Sequence, residues 1–116
     1  MRQAVVAAVR GDDAALRRLA SDESIRRQVE TDRVGPLLAD AADRRGVDGP
    51  ELDHWRHLTR EAALQHLTLS HAETGIGRAL GARGVRWTTI KGAAIARLAH
   101  SRPEHRPTTD LDLLVP

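Results

Sequence analysis

Val85-Arg86-Trp87-Thr88-Thr89-Ile90-Lys91-Gly92-Ala93-Ala94-Ile95-Ala96-Arg97-Leu98-Ala99, the linking residues 100–109 and Asp110-Leu111-Asp112-Leu113-Leu114-Val115 form the stretch that decides the fold. Val85, Trp87 and Thr89 alternate with Arg86 and Thr88 up to Ile90, the period-two, β-branched signature of a strand. Lys91 and Gly92 then read as a turn, and Ala93–Ala99 as a short helix with Ile95 and Leu98 on its apolar side. Ser101–Thr109, which holds Pro103 and Pro107, reads as a loop, and Asp110–Val115 as a second strand. Two strands joined by a helix leave sheet edges with unpaired backbone groups. The expectation is therefore that the chain is a fragment of a larger fold or takes a strand from a second chain.

Moving upstream, Gly49 and Pro50 open the longest periodic pattern in the chain. Leu52, Trp55, Leu58, Ala62, Leu69, Ala72, Ile76 and Leu80 recur at steps of three or four with one wider gap. This predicts one long helix to about Ala82, with Gly75 and Gly77 as points where it can bend. Before it, Ala4, Val5, Ala8 and Val9 form a stripe stopped by Gly11, and Asp12 or Asp13 can cap a helix carrying Ala15, Leu16 and Leu19. Ser21 or Asp22 can cap a segment with Ile25 and Val29, and 34–45 carries Leu37, Leu38, Ala41 and Ala42 before Gly46. The expected class is α/β in the α+β sense: a helical N-terminal segment over 1–48, then over 49–116 the long helix and a partial strand-helix-strand unit, all in one domain.

Composition removes several classes of function. At 116 residues the chain has room for one core, and 41% hydrophobic with 29% charged residues is a composition that folds. The absence of cysteine excludes disulfides, thiolate metal sites and a cysteine nucleophile. Nothing at the N-terminus reads as a signal peptide and every apolar run is interrupted by charge, so the expectation is a cytoplasmic protein without a membrane partner. Lys+Arg 18 against Asp+Glu 16 leaves a net charge of only +2, with bases and acids interleaved, and the two tryptophans are the only aromatic residues. Neither a basic stripe nor a stacking platform is present, so nucleic acid is not the favoured partner. Among the basic side chains only Lys91 is a lysine.

Two elements can carry chemistry. Asp110 and Asp112 are two apart on a predicted strand, so the pleat turns both carboxylates to one face while Leu111 and Leu113 point to the other. Neighbouring carboxylates repel, and become favourable together beside a divalent cation such as Mg²⁺. The plainer alternative is a pair of edge charges that discourages strand addition. At Lys91-Gly92 the missing Cβ and the free N–H groups of the first helical turn, including that of Ala93, suit a phosphate, with the lysine as a point charge. Here the alternative is an ordinary turn with a solvated lysine. No GxxxxGK[ST] pattern and no HExxH occurs, so His54 and His57 read as solvated helix histidines. Glu61 and Glu73 read as helix surface charges, Trp55 and Trp87 as core, and His100 and His105 as residues flanking the loop.

Taken in order, strand, Gly turn, helix, loop and an Asp-x-Asp strand resemble the nucleotidyltransferase superfamily of the polymerase-beta type. Ile90-Lys91-Gly92-Ala93-Ala94 followed by Arg106-Pro107-Thr108-Thr109-Asp110-Leu111-Asp112-Leu113-Leu114-Val115 is more closely similar to an uncharacterised nucleotidyltransferase family typified by Lys-Gly, Arg-Pro and Asp-x-Asp-Leu-Leu-Val. The resemblance implies that Asp110 and Asp112 are catalytic and hold one or two Mg²⁺ ions on the triphosphate of a nucleotide. It further implies that Lys91, Gly92, Ala93 and Arg106 are the phosphate-binding residues, Arg106 equally being able to brace the loop against Glu104. The superfamily usually has Gly-Ser or Gly-Gly where this chain has Gly92-Ala93, and its third carboxylate arrives on a later strand. The expected activity is transfer of a nucleoside monophosphate from a nucleoside triphosphate to an unknown acceptor, weak or absent in this chain alone. The rival reading is a non-catalytic helical module for protein interaction.

Overall fold

Four short helices begin the chain, and each is bounded by a local signal. The first, α1 (Arg2–Arg10), ends at Gly11, where the next amides fold back onto the Ala7 and Ala8 carbonyls. Asp12 caps α2 (Asp13–Ser21): its Oδ1 accepts from the Ala15 amide at 2.9 Å, a contact worth about 1 kcal/mol. Asp22 caps α3 (Glu23–Thr31) by accepting from the Ser24 and Ile25 amides at 2.9 and 3.1 Å, and the Ile25 bond chiefly holds its carboxyl below the usual range. Between the alternatives open in the sequence, Asp12 and Asp22 are the caps. Pro36 sits in the first turn of α4 (Gly35–Arg44), where its missing N–H costs no helical bond. A 3₁₀ turn, Pro50–Leu52, leads into α5 (Asp53–Ala82).

The computed structural model describes residues 1–116, which fall into two units, Met1–Arg60 and Glu61–Pro116. In the first unit Leu16, Leu19, Val29, Leu38, Leu52 and Trp55 are fully buried together. Burial of side chains of this size stabilises by about 1.5–3 kcal/mol each. Around this core Arg56 gathers Asp43 (3.0 Å), Asp48 (2.9 Å) and Asp53 (3.4 Å). The Asp43 and Asp48 hydrogen bonds push its guanidinium further up from its already high pKa.

The second unit holds the remainder of α5, followed by β1 (Thr88–Ile90), α6 (Lys91–Ala99), a 3₁₀ turn at Pro103–His105 and β2 (Asp112–Leu114). The strands pair antiparallel with Thr88 opposite Leu114, Thr89 opposite Leu113 and Ile90 opposite Asp112. Trp87 lies against Gly77, where a Cβ would collide with the indole ring, so this glycine is a seat for Trp87 and α5 runs through it as one helix. Ala62, Ala93, Ala96 and His105 are buried. Arg97 on α6 grips Glu73 on α5 with two bonds of 2.8 and 2.7 Å. No helix is long and apolar enough to cross a membrane.

The fold is the expected helix-dominated α+β arrangement, with differences at the edges of its elements. Both strands are three residues long, where the sequence pattern predicts six. The ladder stops at Ile90 because Lys91 turns into the left-handed region (φ 58°) and starts α6 at once, earlier than Ala93. Leu111 and Asp110 consequently have no strand residue opposite them. At the other end Trp87 is committed to α5. Glu73 is an ion-paired, half-buried group rather than a free surface charge, and His105, read as flanking the loop, is buried in its 3₁₀ turn.

Candidate functional site

The site grows out of the ladder register. Cross-strand partners share a face of the sheet, so Ile90 and Asp112 lie on one side, and Thr89 and Leu113 on the other. Thr89 hydrogen-bonds to Glu73, whose carboxyl is held below the usual glutamate range mainly by Arg97, against the opposing effect of burial and with help from Thr89. That side is therefore occupied by the brace between α5 and α6. Asp112 projects from the opposite side.

The chain turns at Lys91, the residue after Ile90, and its side chain reaches back to Asp112 with Nζ 3.4 Å from Oδ1. Lys91 is 69% and Asp112 35% exposed at the side chain, so the pair is worth at most about 1 kcal/mol. A non-glycine residue in the left-handed region is itself strained by about 1–2 kcal/mol. Asp110, two residues before Asp112, is exposed and joins no ion pair.

Gly92 is crowded rather than open. A Cβ there would stand 3.2 Å from Thr108 Cγ2 and 3.3 Å from its Oγ1. The loop that delivers Asp110 thus rests on the first turn of α6 through Thr108, whose hydroxyl also donates to the Arg106 carbonyl at 3.3 Å. Ala93, the next residue, is buried. Arg106 is exposed and does not brace the loop: Glu104 pairs with Arg102 at 2.6 Å. Burial pushes the Glu104 carboxyl up, but its own backbone amide and Arg102 outweigh that and leave it below the usual range.

The structure therefore brings Lys91 to Asp112 and seats Gly92 under Thr108, while Arg106 in the loop forms no ion pair with either carboxylate. Thr108 and the Glu73–Arg97–Thr89 brace were not legible as site-forming groups. Glu73 and Arg97 are 24 positions apart with no local spacing that pairs them, and Thr108 lies in a segment with no period. Two open grooves flank β1. One of about 390 Å³ is lined by Trp87, Thr88, Thr89, Ala94, Arg97 and Leu98, and one of about 350 Å³ includes Arg86 and Leu114. Neither is lined by Lys91 or Asp112.

Residues 20–116 match the family described as uncharacterised nucleotidyltransferase. The chain belongs to that family. No curated protein and no solved structure matches it. Membership in this nucleotidyltransferase family covers the buried helices from α3 onward as well as the strand-helix-strand unit, and favours the transferase reading over that of an interaction module.

Whether the donor set of this nucleotidyltransferase family member fits a divalent cation can be judged from the residues. Asp110 and Asp112 offer hard oxygen donors of the type Mg²⁺ prefers. Asp112 already attracts a cation, the Lys91 ammonium, and that neighbour stands in for positive charge at this position. No group of three or more His, Asp or Glu side chains is arranged so that it could hold a metal ion by itself. Asp112 lies in β2 and Asp110 just before it, so the donors on offer are two carboxylates, a number that suits Mg²⁺ only where phosphate oxygens and water complete its shell.

Proposed function

We propose that the chain acts in transfer of a nucleoside monophosphate from a nucleoside triphosphate to an acceptor carrying a hydroxyl or amine. The observation that carries this reading is the Ile90–Asp112 register, which sets a carboxylate beside the Lys91-Gly92 entry into α6. Asp112 and Asp110 would hold Mg²⁺. Bound there with the triphosphate, Mg²⁺ would supply charge neutralisation of the phosphates. Lys91 adds a positive charge within reach of the same phosphates, and the amides at the start of α6 favour an anion. Arg106, exposed on the loop before Asp110, is a second phosphate contact.

The reaction balances as an in-line displacement. The acceptor oxygen or nitrogen forms a bond to the α-phosphorus, the bond from that phosphorus to the bridging oxygen breaks, and pyrophosphate leaves. The acceptor proton passes to water or to a carboxylate of the site. With Ala93 in place of a serine, the hydroxyl nearest to this turn is that of Thr108.

The test is incorporation of label from α-labelled nucleoside triphosphates in the presence of Mg²⁺, with calorimetric titration of the same nucleotides. Asp110→Asn and Asp112→Asn are each expected to lower transfer by about a hundredfold or more, with thermal melting unchanged. Transfer that survives both substitutions would remove the reading.

A further inference from the structure

We infer that Lys91 is an exchangeable internal counter-ion of the cation position. It neutralises Asp112 while the metal is absent, and releases the carboxylate for the phosphates when a divalent cation and nucleoside triphosphate arrive. This rests on the reading of Asp110 and Asp112 as cation ligands.

Apart from the local Arg102–Glu104 pair, two ion pairs of the second unit join separate elements, and they differ in the way this role requires. Arg97 holds Glu73 at two points, 2.7 and 2.8 Å, with the glutamate side chain only 15% exposed. Lys91 holds Asp112 at a single point of 3.4 Å, longer than the roughly 2.7–2.9 Å of a tight charge-assisted bond, and both partners meet solvent. The first is built to stay closed and the second to open. Residue type agrees with geometry. An arginine beside a carboxylate locks in a planar, two-point fork, whereas a lysine is a compact charge on a flexible stem. Of the 18 lysine and arginine side chains all but one are arginines, and the releasable position carries the one lysine.

Backbone conformation supplies the aim. Because Lys91 takes φ 58° as the first residue of α6, its side chain returns to β2. The same residue is adjacent to Gly92 and to the first-turn amides, so a rotation of its side chain transfers the ammonium from carboxylate to phosphate without moving the sheet. A divalent ion outcompetes the monovalent ammonium at Asp112, and Asp110, which has no cation of its own, adds to that preference.

The experiment uses the full chain and Mn²⁺ as probe, with affinity read by electron paramagnetic resonance in the absence and presence of a non-hydrolysable nucleoside triphosphate. Lys91→Met is expected to bind Mn²⁺ alone about fivefold more tightly than the unaltered chain, since one competing charge is gone, and to bind the Mn²⁺–nucleotide more weakly by a similar factor. A purely structural lysine would shift both in the same direction. Because Lys91 is the only lysine, ¹³C-dimethylation gives one side-chain signal besides the N-terminus. That signal is expected to move on Mg²⁺ titration in the unaltered chain and not in Asp112→Asn. If Lys91→Met leaves Mn²⁺ affinity unchanged while Asp112→Asn abolishes it, the counter-ion role is overturned and the metal reading stands. If no variant binds Mn²⁺ with or without nucleotide, both fall together.

Discussion

The unit Met1–Arg60 and the unit Glu61–Pro116 are built by different means. The first buries six large side chains, caps α2 and α3 with aspartates and ties three acids to Arg56. The second buries mainly alanines, pairs two three-residue strands and leaves Leu64, Leu67, Ile95, Leu98 and Leu114 exposed. Large side chains packed to full burial give stability, while Gly77 and Gly92 let the side chains of Trp87 and Thr108 approach the helix backbone closely. The candidate chemistry resides entirely in the second kind of construction.

The contrast can be broken most severely at Trp55. Replacing this fully buried ring by alanine is expected to cost about 3–5 kcal/mol, and to lower amide protection across α2 and α4 in hydrogen exchange. Equal loss of protection at Thr88–Ile90 would erase the distinction between the units. Native amides of β1 and β2 are expected to exchange faster than those of α2 even in the unaltered chain, given their short ladder.

A smaller effect sharpens the comparison from within the second unit. Glu73→Gln is expected to cost about 1 kcal/mol at neutral pH, with solvent screening at the Arg97 end. Since the folded carboxyl lies below the ordinary glutamate value, its contribution is complete above that value and disappears as pH falls through the lowered one. Denaturation curves of the two forms should therefore converge in acid. Curves that stay equally separated at every pH would show that the brace does not act through its charge.

The smallest effect is expected at Lys91→Gly. Glycine relieves the left-handed strain, so stability should rise by about 0.5 kcal/mol even though the Asp112 pair is lost. Nucleotide affinity should fall at the same time. A substitution that firms the fold while weakening binding identifies strain retained for function. A drop in melting temperature would show that the lysine is structural.

Much of this was legible from residue order. The helices announce themselves through apolar steps of three and four, and Asp12 and Asp22 are short-range caps, visible because a cap lies within a turn of its target. Taken singly, Lys91-Gly92 and Asp110-x-Asp112 read as an ordinary turn and edge charges, and they stood out only through their order, which resembles the nucleotidyltransferase pattern. What remained hidden depends on pairing across long separations. The truncated strands follow from Trp87 choosing Gly77 and from Lys91 leaving the ladder. Glu73 finds Arg97 only once α6 is in place. Thr108 matters solely because Gly92 has no side chain to hold it off, a fact no periodicity records.

Trp87 also fixes more than its own position. Side chains alternate along β1, so a slip of one residue against β2 would carry Asp112 round to the side of Thr89 and Leu113, where Glu73 already holds a negative charge. The indole wedged on Gly77 stops β1 from sliding lengthwise. A hydrocarbon contact with no reactive group thereby decides on which side of the sheet an acid emerges, and altering the helix at residue 77 would silence the acid without touching it.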